Sequence, residues 1–145
     1  ACKGVHQSGV LDQILEEYAG QVNLIFRDMP VISPHYDFMS AQLAQCTFDQ
    51  SNDLFWKFHD MMYSTARQSA SSRGELVTNA GRLGVDTDAL NECYDVGTHA
   101  DTVRYDQRRG SDAGVRGTPT FFINGERLFS FSPDGFRQAI NQALG

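Results

Sequence analysis

The sequence predicts an α/β domain in which a long, purely helical stretch separates a helix–strand pair at one end from a β-hairpin and a closing helix at the other. Three observations predict it. The run Gly114-Val115-Arg116-Gly117-Thr118-Pro119-Thr120-Phe121-Phe122-Ile123-Asn124-Gly125 reads as a helix stop, a Gly-flanked loop, a strand headed by proline and a hairpin turn. Val22 to Phe26 has the make-up of a short strand and follows an apolar-striped helix. Between Pro34 and Ala113 the apolar residues recur at helical spacing.

At 145 residues the chain is one domain by length and long enough to bury a core. A net charge of −6 argues against an electrostatic nucleic-acid binder. No apolar run approaches the roughly 20 residues that span a bilayer. The opening Ala1-Cys2-Lys3-Gly4 carries neither an initiator Met nor an apolar leader, and is read as the start of a processed, trimmed or partial chain.

Taken in order, Lys3 to about Ala19 is expected as one helix, with Val10, Leu11, Ile14, Leu15 and Tyr18 as its apolar stripe and Gly20 as its stop. The strand Val22–Phe26 completes half of a βαβ unit; a right-handed crossover needs an earlier strand, expected ahead of Cys2. Ser33-Pro34 supplies an N-cap and first helical residue for a helix from about His35 to Asp49, with Met39, Leu43 and Cys46 or Thr47 inward. Gln50-Ser51-Asn52 breaks it. A second helix runs from Asp53 to about Arg67, with Leu54, Phe55, Phe58, Met61 and Met62 on its apolar face and Trp56 off that face, beside an exposed groove.

Arg67 to Gly74 is a polar loop and the best candidate for local disorder. Three short helices follow: Glu75 to Leu83, stopped by Gly84; one capped by Asp86 and stopped by Gly97; and His99 to about Ala113, for which Thr98 and Asp101 resemble a capping box. The strand from Thr120 to Ile123 turns at Asn124-Gly125 into a returning strand, Glu126 to Phe129. Ser132 and Pro133 then open a helix bearing Phe136, Ala139, Ile140 and Leu144, expected to cover the sheet. The divisions are therefore 1–33, 34–113 and 114–145.

Three cysteines, Cys2, Cys46 and Cys93, are too few for a disulfide scaffold, and an odd count fits one bridge plus one free or functional thiol. Cys2 falls in the first turn of the first helix, where the helix dipole and unpaired N–H groups stabilise a thiolate; a small buried thiol is the alternative reading. His6, His35, His59 and His99 are widely separated, match no structural zinc spacing and read as helix or cap residues, so no metal is expected. Pro119, at a loop-to-strand joint, is a candidate cis proline.

These residues together resemble the DsbA-like thiol:disulfide oxidoreductases of the thioredoxin superfamily. The resemblance rests on the twelve residues 114–125, on Cys2-Lys3-Gly4-Val5-His6 leading through Leu15-Glu16-Glu17-Tyr18 to Val22 and Met29-Pro30, on Cys46 before Phe55-Trp56-Lys57-Phe58-His59-Asp60, and on Cys93 before Val96-Gly97. It implies a thioredoxin-like fold with an all-helical insert, and thiol–disulfide exchange at a redox-active Cys-x-x-Cys centre. By spacing, Cys2 matches the second, resolving cysteine, with Ala1 between. The first, nucleophilic cysteine would stand ahead of Ala1, so the chain as given is expected to lack its nucleophile. A poorer alignment makes Cys2 the first cysteine, with Val5 in its partner's place.

The resemblance also implies that Gly117, Thr118 and Pro119 offer backbone groups to an extended substrate peptide. Cys46 and Cys93 stand either as two core thiols or as a structural bridge, and some DsbA-like relatives bridge their equivalents. No cofactor beyond the cysteine pair is implied. The expected partners are cysteine-containing exported proteins and a redox partner that restores the active disulfide; the expected setting is periplasmic or otherwise extracytoplasmic, and the expected state a monomer. Two rival readings share the superfold: a non-redox peptide-binding module using the proline groove, and a glutathione-using enzyme.

Overall fold

The computed structural model describes residues 1–64 and 72–145, which fall into two units: Ala1–Phe26 with Val115–Gly145, and Arg27–Gly114. The last turn expected for the Asp53 helix, and the polar run up to Ser71, lie outside the described residues.

In the first unit the single helix expected from Lys3 to Ala19 is two, α1 (Cys2–Gln7) and α2 (Val10–Glu17). The break has a local cause. The Ser8 hydroxyl donates to the Val5 carbonyl at 2.7 Å, and Gly9 takes a left-handed conformation with φ of 69°, which a residue with a side chain rarely adopts. Gly20, at φ of 77°, ends the turn after α2 as expected.

Val22–Phe26 is not a strand. Its side chains keep the two-residue alternation, with Val22, Leu24 and Phe26 partly buried and Asn23 and Ile25 exposed, but the sheet of the described residues contains only two strands, β1 (Phe121–Ile123) and β2 (Glu126–Leu128). A strand is its hydrogen-bonded ladder, and the alternating pattern alone does not make one. The hairpin pairs Phe121 with Leu128, Phe122 with Arg127 and Ile123 with Glu126 in antiparallel register. Asn124 and Gly125 both have positive φ, 48° and 91°, the turn whose twist suits a two-residue hairpin. Thr120 and Phe129, expected inside the strands, lie just beyond the paired rungs.

Helix α8 (Pro133–Leu144) starts where Ser132 Oγ accepts from the Gly135 N–H at 3.1 Å. It buries Phe136 and Ile140 against Val10, Ile14 and Leu128, with the Phe121 ring edge-on to Phe131 and Phe136. Leu144, at the helix end, is exposed. Arg137 reaches both carboxylate oxygens of Glu17, at 2.7 and 2.6 Å, and Tyr18 Oη donates to Asn141 Oδ1 at 2.8 Å, so α2 and α8 are held by polar ties outside their apolar seam.

The second unit is organised on α3 (Pro34–Gln50), which packs against α4 (Asn52–Ser64), α5 (Arg73–Arg82), α6 (Thr87–Val96) and α7 (Ala100–Asp112). Asp37 Oδ2 accepts from the Ile32 and Ser33 N–H groups at 2.8 and 2.7 Å and fixes the entry to α3. Ser51 ends that helix and caps the next, its Oγ accepting from the Leu54 N–H. The helix expected from Glu75 begins two residues earlier, because Ser72 and Glu75 form a reciprocal capping box that begins α5 at Arg73. Asp86 caps α6 as expected, accepting from the Asp88 and Ala89 N–H groups. Helix α7, expected from His99 with Thr98 as its cap, begins at Ala100 with His99 as N-cap, while the Thr98 N–H bonds the Cys93 carbonyl to close α6 beyond left-handed Gly97. The core joins Met39, Leu43, Cys46, Phe58, Leu76, Val77, Ala80, Val85 and Leu90. No helix of the described residues is long and apolar enough to cross a membrane.

Candidate functional site

Cys2 is the first residue of α1, behind Ala1 as N-cap, half-buried and outside any disulfide. The Val5 N–H already bonds the Ala1 carbonyl at 3.1 Å, so the first turn is closed immediately beside the thiol. The break at Ser8–Gly9 confines this thiol to a helix of six residues.

The Gly117–Pro119 loop belongs to the same unit as Cys2. The chain leaves α7 through Gly114, at φ of 77°, and the Thr118–Pro119 peptide bond is cis. Thr120 Oγ1 donates to the Gly117 carbonyl at 2.7 Å, which folds the loop back on itself directly before β1. Thr118 and Pro119 are partly buried and Gly117 is exposed. A Cβ at Gly117 would meet nothing within 4 Å, so open space stands over that backbone.

Cys46 and Cys93 lie in the other unit and are bonded to each other, Cα to Cα 5.9 Å, joining α3 to α6. Two residues beside them carried no chemistry in the sequence reading. His99, recognised there only as a helix or cap residue, is the N-cap of α7 and sits with Nε2 2.6 Å from Asp49 Oδ2. One of its ring nitrogens lies within 4.8 Å of both bridge sulfurs. With those sulfurs committed to each other, this group holds no metal ligand set as it stands.

A second polar cluster in the same unit also went unread. Asp28 and Asp106 are both buried. Asp106 Oδ2 accepts from the Asp28 N–H at 3.2 Å, and its Oδ1 lies 3.4 Å from Arg27 Nη1. Gln45 Nε2 donates to Asp28 Oδ2 at 2.7 Å. Burial pushes the Asp28 carboxyl up to about 6, and the Asp106 charge adds to it, against the Gln45 bond and the positive charge of Arg27 and His99. No sequence signal joins residues 28 and 106, which meet only through the fold.

The family model described as thioredoxin matches residues 1–142. Among curated relatives, the “Probable disulfide bond formation protein D” of Bacillus anthracis is 27% identical over 145 residues, 93% of this chain and 64% of that protein. A protein of Rickettsia felis named as a protein-disulfide oxidoreductase is 26% identical over 147 residues, 99% of this chain and 52% of the relative. The Na(+)/H(+) antiporter NhaA 3 of Salinispora tropica is 31% identical over 116 residues, 79% of this chain but 17% of the antiporter. The chain thus spans about half to two-thirds of the disulfide-named relatives and about a sixth of the antiporter. No solved structure matches.

Proposed function

The chain belongs to the thioredoxin family, and from that premise we propose that it is the working domain of a DsbA-like thiol:disulfide oxidoreductase. What supports this reading is the placement of Cys2 at the head of α1 in the same unit as the Gly117–Thr118–Pro119 loop. In the exchange, a thiolate attacks a disulfide sulfur, a mixed disulfide forms, and a second cysteine resolves it. Cys2 is the resolving thiol. The attacking thiol is the first cysteine of the family's Cys-x-x-Cys pattern, three positions ahead of it. Gly117, Thr118 and Pro119 bind substrate backbone as an added strand would, in the open space over Gly117 and ahead of β1. The substrates are cysteine-containing exported proteins, the setting is extracytoplasmic, the protein works as a monomer, and a redox partner restores its disulfide. The antiporter match covers a section of a longer chain and brings no transport role to this one.

The test uses the full protein in its reduced form and a Cys2→Ser variant with a disulfide-bonded protein substrate. The variant is expected to accumulate a mixed disulfide that the wild type resolves, seen as a reducible shift on non-reducing gels, with turnover falling at least about a hundredfold. Unchanged turnover in the variant removes Cys2 from the chemistry. Peptide binding without exchange points to a binding module, and covalent capture of glutathione without protein substrates to a glutathione-using enzyme.

A further inference from the structure

We propose that the Cys46–Cys93 bridge is itself a thiol-exchange site, opened by an external dithiol at Cys93 with His99 giving a proton to the departing Cys46 sulfur. The proposal rests on the second unit alone and assigns no role to Cys2.

The two sulfurs differ in access. Cys46 is 2% exposed within the cluster of Leu43, Phe58 and Leu90, whereas Cys93 is partly exposed. An incoming thiolate therefore meets Cys93 first, and the leaving sulfur is the buried one. A thiolate released among apolar side chains is costly, so opening is slow unless a proton arrives as the bond breaks. The fold sets a donor there. A His99 ring nitrogen lies within 4.8 Å of both sulfurs. Asp49, on α3 one turn beyond Cys46, holds the ring through Nε2 at 2.6 Å, and its Oδ2 is 3.8 Å from Cys93 Sγ. Asp49 is a positioning residue, since it acts through the ring. Asp28, from the segment leading into α3, also lies within electrostatic reach of His99.

The step balances as follows. One thiolate of the dithiol bonds to Cys93 Sγ, the Cys46–Cys93 bond breaks, and its electron pair goes to Cys46 Sγ, which takes the ring proton of His99. The products are the mixed disulfide on Cys93, the Cys46 thiol and neutral His99. The second thiolate of the dithiol attacks its own partner sulfur in the mixed disulfide and releases Cys93 as a thiolate, which is protonated by solvent. The dithiol is oxidised to a disulfide, and the bridge is reduced by two electrons to two thiols.

Dithiothreitol serves as the probe, with acid quenching, alkylation and peptide mapping that separates Cys46 and Cys93 from Cys2. In the folded protein the bridge is expected to open faster than global unfolding, measured by denaturant jump. His99→Gln is expected to lose about a hundredfold in rate per thiolate, with added imidazole restoring part of it; Asp49→Asn is expected to fall between. Opening that tracks global unfolding overturns the proposal, as does an equal rate per thiolate in His99→Gln. Should that variant fail to fold, an unchanged rate per thiolate in Asp49→Asn overturns it alone.

Discussion

Asp28 carries a carboxyl into the interior with one amide donor on its side chain and a second carboxylate nearby. Burial, then the Asp106 charge, raise it to about 6 from an ordinary 3.8. Between about pH 4 and pH 6 the folded protein therefore keeps a proton that the unfolded chain has released. Stability from this group is full below that window and is lost as pH rises through it, by about 3 kcal/mol. The Glu17 carboxyl, held at about 2 mainly by its Arg137 bonds, works the other way, and its contribution is lost only as pH falls below about 4. The two effects occupy separate windows. Asp28→Asn keeps an oxygen for Gln45 and carries no charge, so the variant is expected to lose the slope between pH 4 and 7 and to exceed the wild type at pH 7.5. Urea midpoints at pH 4.5, 6 and 7.5 check this, and a variant weaker than the wild type at pH 7.5 contradicts it. At this scale the sequence is legible where chemistry is local. Cys2, Gly117 and Pro119 stand in short motifs, whereas Asp28 with Asp106 and Asp49 with His99 are assembled across 78 and 50 residues and leave no pattern in the chain.

Elements were readable to the extent that their ends are set by neighbouring residues. Asp86, Ser132, Gly97 and the Asn124-Gly125 turn act within a few residues of themselves, and each sits where its chemistry places it. The misreadings share a cause, a competitor for the same backbone group. Ser8 takes the Val5 carbonyl and splits the first helix, while the Thr98 N–H goes to Cys93 instead of starting α7. Val22–Phe26 shows the limit of pattern, since alternation survives there without a ladder. One close approach gives the element-scale prediction. A Cβ at Gly135 would lie 2.5 Å from the Ser130 carbonyl oxygen and 2.7 Å from its Oγ, so α8 starts where it does because residue 135 has no side chain. In an open helix Gly→Ala gains up to about 1 kcal/mol. Here Gly135→Ala is expected to cost about 1–3 kcal/mol, as overpacking does. Thermal unfolding of the variant measures it, and an unchanged or raised midpoint refutes the contact.

At the scale of the whole molecule, the described residues hold two apolar clusters with no residue in common. Leu43 and Phe58, fully buried, centre one; Phe136 and Ile140, with Val10, Ile14 and Leu128, form the other. The Cys46–Cys93 bond closes a 47-residue separation inside the first of these, and by the chain-entropy estimate is worth about 4 kcal/mol to that unit while it remains closed. The single tryptophan, Trp56, lies on α4 with its ring against Phe55 and His59, and so reports on the same unit. Truncation inside each cluster tests its burial. Leu43→Ala removes a side chain with no exposure and is expected to cost about 3–5 kcal/mol, lowering the denaturation midpoint read by Trp56 fluorescence. Phe136→Ala is expected to cost a similar amount in the other cluster. Far-UV circular dichroism reads that loss, and an unchanged midpoint in either variant contradicts the burial that sets its cost.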